Sequence, residues 1–373
     1  MKTFNLLIAA TIAGCSSMAT NAATWSALDL GSFGGTSVFA SAVNANGKVA
    51  GGSSYPGSFE LQGFITGANG VGMTDVGTLG GVGSMAIGIN ATGQLTGYSQ
   101  ITGSPTQHAF LTGANGVGMT DLGTLGGTSS YGSGINAVGQ VVGLSQIVIN
   151  GTQHGFITGA NGVGMTDLGT LGGTTSVASA INDGGRVAGY STIAGNGFQH
   201  AFITGANGVG MTDLGSFWGT DSFASAINAS GQVTGVVEMA GTVNRRAFIT
   251  GANGVGMTDL GTLGGTHSRA FGINASGQVV GWADVGFELH GFVTGANGVG
   301  MIDLNSLFTL AGGDYFADAR AVNDAGQIVA NSAMGHSYLL SVVAVPEPET
   351  YAMMLAGLGL MGTVARRRKT AQA

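Results

Sequence analysis

The chain has 373 residues, 72 of them glycine, with 44% hydrophobic residues, only 8% charged residues and a formal net charge of −7. A normal apolar content with little charge excludes a disordered chain, which combines poor hydrophobicity with high net charge. Glycine at this density excludes a mainly helical protein, since each interior glycine costs a helix about 1 kcal/mol; a turn-rich β protein remains.

Residues 1–23 read as an export signal. Lys2 supplies the positive start, residues 4–13 (FNLLIAATIA) the apolar stretch, and Ala22 and Ala23 the small cleavage points. Cys15 follows Ile12-Ala13-Gly14 in a run similar to a lipoprotein box, where it would be lipidated after cleavage. The other reading makes it an ordinary small residue just beyond the apolar core. It is the only cysteine, so no disulfide forms within the body, and packing and sheet pairing must stabilise an extracellular protein.

The body, residues 24–345, is a repeat of ~46 residues. One Asn recurs at Asn44, Asn90, Asn136, Asn182, Asn228, Asn274 and Asn323. An aromatic recurs at Phe64, Phe110, Phe156, Phe202, Phe248, Phe292 and Tyr338, and an acid at Asp29, Asp75, Asp121, Asp167, Asp213, Asp259 and Asp303. Within the second unit, residues 86–90 (AIGIN) form an extended run and Asn90 to Gly93 a type I turn. Residues 94–98 (QLTGY) and 108–112 (HAFLT) are the second and third strands. Gly113-Ala114-Asn115-Gly116 supplies an Asn-Gly hairpin signal before a fourth strand over 117–122. Four short antiparallel strands in ~46 residues make the blade of a β-propeller. Phe110 and Leu111 face opposite sides of their strand, so the sheet needs cover on both faces, which blades stacked around an axis provide.

The ends of the array point to ring closure. The body opens on a lone Asp-Leu-Gly strand at residues 25–31 and finishes on a strand at 336–340 with no Asp-Leu-Gly partner after it. The expected fold is therefore all-β, a seven-bladed propeller of four-stranded antiparallel blades closed by the N-terminal strand. An open solenoid would more often carry polar capping repeats.

The triplets His108-Ala109-Phe110 and His200-Ala201-Phe202, the segment 121–127 (DLGTLGG), Ile135-Asn136 and 139–143 (GQVVG) together resemble the HAF-type bacterial extracellular repeat. The resemblance covers nearly the whole body and implies a surface location without an activity. Gln62-Gly63-Phe64, Arg246-Ala247-Phe248 and His336-Ser337-Tyr338 depart from it, so the His is dispensable to the pattern.

The C-terminal segment 346–373 opens with Pro346, Glu347 and Pro348. An apolar run over 351–364 follows, then Arg366, Arg367, Arg368 and Lys369. This order of motif, apolar stretch and basic end resembles the PEP-CTERM sorting signal of Gram-negative bacteria. The resemblance implies recognition by an exosortase-type enzyme, removal of the tail near the Pro-Glu-Pro motif, and transient inner-membrane anchoring through a helix over 350–365. The basic cluster fits a cytoplasmic end, and the apolar run is short against a span of ~20 residues.

Three features could carry chemistry. The recurrent His108, His154, His200, His290 and His336 suggest a metal ring, but equivalent positions on neighbouring blades lie too far apart for zinc ligands at about 2.0–2.3 Å. The seven Asp could attract Ca²⁺, although each precedes a turn where Asp commonly bonds nearby amides. The stretch 305–320 breaks the repeat with Asp314, Tyr315, Asp318 and Arg320, which could suit carbohydrate processing. The other unit-specific charges (Lys48, Glu60, Arg186, Arg245, Arg246, Arg269 and Glu288) read as singly scattered.

The expectation is no metal, no cofactor and no catalysis, in a surface or matrix scaffold. Its variable loops (99–107, 145–153, 191–199 and 237–245) would bind glycan or a surface protein. The alternative is a hydrolase or lyase acting on an extracellular polysaccharide. Within the body six Lys and Arg face sixteen Asp and Glu. That balance of −10 speaks against nucleic acid or an anionic polysaccharide as an electrostatic partner.

Overall fold

A computed structural model describes residues 24–147, 152–195, 197–217 and 219–343. The export signal with Cys15, the residues Pro346, Glu347, Pro348, Arg366, Arg367 and Arg368, and the expected helix over 350–365 lie outside the described residues. Among the described residues no helix is long and apolar enough to cross a membrane. The compact unit, Trp25–Ser341, is a seven-bladed β-propeller.

Blade 1 is β2 (Val38–Val43), β3 (Val49–Ser54), β4 (Leu61–Thr66) and β5 (Met73–Asp75). Blade 2 is β6 (Gly80–Ile89), β7 (Leu95–Ile101), β8 (Gln107–Thr112) and β9 (Met119–Asp121). Blade 3 holds β10 (Gly126–Ile135), β11 (Val141–Ile147), β12 (Gln153–Thr158) and β13 (Met165–Asp167). Blade 4 holds β14 (Gly172–Ile181), β15 (Val187–Ile193), β16 (Gln199–Thr204) and β17 (Met211–Gly215). Blade 5 is β18 (Gly219–Ile227), β19 (Val233–Met239), β20 (Arg245–Thr250) and β21 (Met257–Asp259). Blade 6 is β22 (Ser268–Ile273), β23 (Val279–Val285), β24 (Glu288–Thr294) and β25 (Met301–Asp303). Blade 7 takes β26 (Phe316–Val322), β27 (Ile328–Ser332) and β28 (Ser337–Val343) from the C-terminal side of the body and β1 (Thr24–Asp29) from the N-terminal side, in the order β1-β28-β27-β26. The expected closure by the first strand is present. Leu30 N donates to Ser337 O at 3.0 Å, and Asp29 meets His336 at 3.5 Å.

Each blade interface is built from one alternation. Phe110 packs with Ile65 and Leu95, whereas its neighbour Leu111 turns to the other face and packs with Phe156. The pattern repeats as Ile157 with Phe202, Ile203 with Phe248 and Ile249 with Phe292. At the seam, Leu30 and Leu339 pack with Phe64. Fully burying one such side chain contributes roughly 1.5 to 3 kcal/mol. Glycine is needed where the first two strands of a blade close together. A Cβ on Gly97 would stand 1.9 Å from Met85 O, beside the bulge between Ala86 and Gly88.

Two local expectations are refined. The Asn90–Gly93 turn forms as read, with Gly93 N donating to Asn90 O at 3.0 Å and Gly93 at φ 79°. The expected hairpin joins β8 to β9, and its turn is a single 3-10 turn, Ala114–Gly116, with Asn115 in the left-handed region at φ 58°. Asn tolerates that region because its short amide bonds locally.

Candidate functional site: the two mouths of the central channel

The innermost strands β2, β6, β10, β14, β18, β22 and β26 line a central channel of about 690 Å³. Its two mouths are chemically unlike. Strand direction places the Asn turns at one mouth, and the loops between second and third strands at the other.

At the first mouth the recurrent Asn side chains close a girdle. Asn44 Nδ2 donates to Asn90 O, Asn90 to Asn136 O, Asn136 to Asn182 O and Asn182 to Asn228 O, at 3.0 to 3.4 Å. Asn228 donates to Asn274 O, Asn274 to Asn323 O, and Asn323 completes the circle on Asn44 O at 2.9 Å. The same side chain also holds its own turn, as Asn228 Oδ1 accepts from Gln232 N at 3.0 Å. The repeat had pointed to the turn; the bond to the next blade was missed, although the invariance of Asn, where Asp or Ser would also serve a turn, was its signal. Asp183 and Asp324 line this mouth and accept from Ala137 N and Ala275 N at 2.9 and 2.8 Å. Lys48 and Arg186 stand where other blades have Gln, and bond to Asn115 and Asn253 of the next blade.

The opposite mouth breaks the repeat. Arg269 on β22 and Arg320 on β26 both lay their guanidinium groups over the Phe271 ring, at 5.1 and 4.1 Å. Arg320 is also 4.6 Å from the Phe39 ring centre, and its Nη2 donates to Asp318 Oδ2 at 2.7 Å. Asn331 Nδ2 donates to the other Asp318 oxygen at 3.0 Å. Arg245 pairs with Glu238 at 2.8 Å on the rim. Arg269 has no carboxylate partner among the described residues. Burial lowers its pKa, and the charges of Arg320 and Arg245 lower it further. Burial raises the neighbouring Tyr190 phenol, an effect that Arg269 opposes. The side-chain atoms Ser41 Oγ, Arg269 Nε and Arg320 Nε are buried without a hydrogen-bond partner within the chain.

This placement corrects the reading of the unit-specific charges as scattered. Three of the body's six cations, Arg245, Arg269 and Arg320, come to one mouth. Blade order is the reason. Arg269 and Arg320 are about one repeat apart in sequence and lie on adjacent inner strands. The net charge of the body therefore says little about this mouth, because charges beyond a Debye length of about 8 Å are screened.

The other candidates lie elsewhere. Each recurrent Asp caps its own turn, as Asp121 Oδ1 accepts from Gly123 N at 2.7 Å and Asp167 Oδ1 from Gly169 N at 2.7 Å. Four recurrent His pair with these acids at 2.7 to 2.8 Å: His108 with Asp121, His154 with Asp167, His200 with Asp213 and His290 with Asp303. Within 305–320 only Asp318 and Arg320 pair with each other. Asp314 Oδ1 accepts from Tyr315 N and Met334 N, and the Tyr315 ring lies tilted against His290 at 5.4 Å. Phe308 in the same stretch contacts Trp25 of the closing strand and Phe316, so the insertion packs the seam.

Fold and channel together define a seven-bladed β-propeller with one mouth built by the repeat and one that departs from it. At its C-terminal end the family model of the PEP-CTERM protein-sorting motif matches residues 344–369. The motif implies an exported protein, secreted or at the cell surface, that an exosortase-type processing enzyme recognises. No curated protein matches the chain. Among solved structures, the GH74 enzyme of Niastella koreensis aligns at TM-score 0.53 and 16% identity, over 82% of this chain and 43% of that one. An oligogalacturonate lyase from Vibrio parahaemolyticus aligns at 0.51 and 11% identity, over 86% and 94%. TolB from Acinetobacter baumannii aligns at 0.49 and 13% identity, over 67% of this chain and 61% of that one. The chain thus spans less than two thirds of two of these proteins, and likeness at such identities shows the fold alone.

Proposed function

We propose that the protein is a non-enzymatic surface scaffold that binds a glycan or a surface protein through the loop-bearing face of its propeller. In this reading the HAF-type repeats form the scaffold, residues 1–23 direct export, and a helix over 350–365 anchors the chain in the inner membrane until the tail is removed. The observation that carries the reading is how the acids and histidines are used. The recurrent His and Asp are bound to one another and to turns, and Glu238 and Asp318 are neutralised by arginines. A two-carboxylate hydrolysis needs a pair of unencumbered acids across the substrate. The loops of the opposite face meanwhile carry Phe59 and Phe287 fully exposed at their tips, a feature suited to contact with a partner.

The test is a panel of neutral and acidic polysaccharides incubated with purified mature protein and assayed for retention and for chain cleavage. Retention without new reducing ends or unsaturated products is expected; release of such products would overturn the reading. The second reading, a hydrolase or lyase on an extracellular polysaccharide, draws support from the arginine-bearing mouth and from propeller neighbours described as a GH74 enzyme and an oligogalacturonate lyase.

A further inference from the structure

The loop-side mouth of the channel has donors and positive charge in excess of acceptors. Three guanidinium groups meet two carboxylates there, and the uncompensated one is Arg269. Arg269 and Arg320 both lie over the Phe271 ring, so two like charges are held near one another and the charge of Arg320 acts on Arg269. Arg320 is fixed between Phe271 and Phe39 and bonded to Asp318, which leaves Arg269 as the group free to take a ligand. Ser133, Ser179 and Ser225 line the channel at the position that Arg320 occupies in its own blade, and they add hydroxyl donors. Phe223 and Tyr190, edge to face at 5.0 Å, add aromatic surface beside them.

An arrangement of donors with one excess positive charge complements an acceptor-only group of one negative charge. Planar guanidinium matches carboxylate in bidentate geometry, and aromatic faces suit the apolar side of a ring. We propose that this mouth binds the carboxylate of a slender ligand, with Arg269 as the residue that takes the charge and the aromatic faces as the platform for the attached ring. The ligand class is a carboxylated sugar, and a free organic acid would share the chemistry. The inference rests on the scaffold reading and adds a site and a ligand class to it.

Calorimetric titration of the mature protein at low ionic strength tests it. The probes are a short glucuronic-acid-containing oligosaccharide, a neutral glucose oligosaccharide of equal length, citrate and sulfate. Binding of the acidic oligosaccharide is expected, weakened by salt, with the neutral one at least tenfold poorer. Binding of citrate as tight as that of the oligosaccharide would assign the site to free organic acids and overturn the sugar; sulfate binding more tightly than either would overturn the carboxylate.

Arg269→Met keeps the stem over Phe271 and removes the charge. Binding should fall at least tenfold while Tm stays level or rises, since an unpaired, half-buried charge has been deleted. Ser225→Glu places a carboxylate on the adjacent inner strand with Arg269 intact, and should weaken binding by a similar factor. Wild-type affinity in both variants would overturn the site. Retention of a neutral glycan alone, equal in wild type and R269M, would also overturn it while leaving the scaffold reading in place.

Discussion

The two mouths of the channel are built from the same strands and differ in what the repeat allows. At the Asn mouth seven equivalent residues each make the same bond, so every copy is needed and none can be varied for a ligand. At the Arg mouth the equivalents of Arg269 are Asp318, Phe223, Val177, Tyr131, Met85 and Phe39, and no bond circles the axis. The difference teaches where to look in a repeat protein. Residues that recur hold the ring, and residues that break the recurrence are available for recognition.

The strongest way to break this contrast is to open the ring itself. Deleting residues 25–33 removes β1, uncovers the edge of β28 and strips Leu30 and Trp25 from their packing. Losing those two burials alone costs about 5 kcal/mol, or roughly 10 to 20 °C in Tm at 2–4 °C per kcal/mol. Hydrogen exchange should show lost protection over 316–340 as well as in blade 1, with little change in blade 4. Retained protection over 316–340 would mean that the blades stand without closure.

A smaller break is one link of the girdle. Asn228→Ala removes the bond to Asn274 O and the acceptor for Gln232 N, leaving buried groups unpaired. The expected cost is about 3 kcal/mol, read by urea denaturation, and the same substitution at Asn136 should cost a similar amount. A near-zero cost at either position would show that the girdle is incidental.

Two serines in one strand sharpen the contrast further. Ser176 Oγ accepts from Gly155 N and donates to Gly169 O, joining blade 4 to blade 3. Ser179, three residues on, lines the channel. Ser176→Ala should cost about 2 kcal/mol, and Ser179→Ala should fall within about 0.5 kcal/mol of zero. Equal costs would erase the distinction between recurring bridge and channel lining.

Much of the ring was legible because it is written seven times. The spacing of Asn44 to Asn323 counted the blades, and the split between the first and last strands foretold the seam between Leu30 and Ser337. What stayed hidden was anything that depends on the neighbour across an interface. Asn136 announces its own turn through local sequence, but its bond to Asn182 O requires knowing which blade lies beside it. Arg245 and Arg269 read as isolated, and Arg320 as part of the 305–320 stretch, because linear spacing does not say which strand is innermost; the propeller puts first strands on the axis, and both channel arginines then lie over the Phe271 ring. The stretch 305–320 looked like a site because it breaks the repeat. Most of it serves the seam, through Phe308 against Trp25 and Asn305 bonded to both backbone groups of Phe316.

The smallest expected effect belongs to a residue that recurs yet sits on the outside. Asp167 Oδ1 accepts from Gly169 N, and Oδ2 meets His154 Nδ1 at 2.7 Å, with the carboxylate side chain 41% exposed. Asn in its place keeps an oxygen for the Gly169 amide and offers an amide donor to the imidazole. Only the charge is lost, and where His154 is protonated an exposed ion pair contributes about 0.2 to 1 kcal/mol. Asp167→Asn should therefore lower stability by about 0.5 kcal/mol, and raising the salt concentration should shrink the difference, because an exposed pair is screened. Calcium sharpens the test. With each carboxylate committed to a turn amide, millimolar Ca²⁺ should leave the Tm of wild type and D167N unchanged. A calcium-dependent rise in the wild type that disappears in D167N would move the recurrent Asp from the structural side of the comparison to the ligand-binding side.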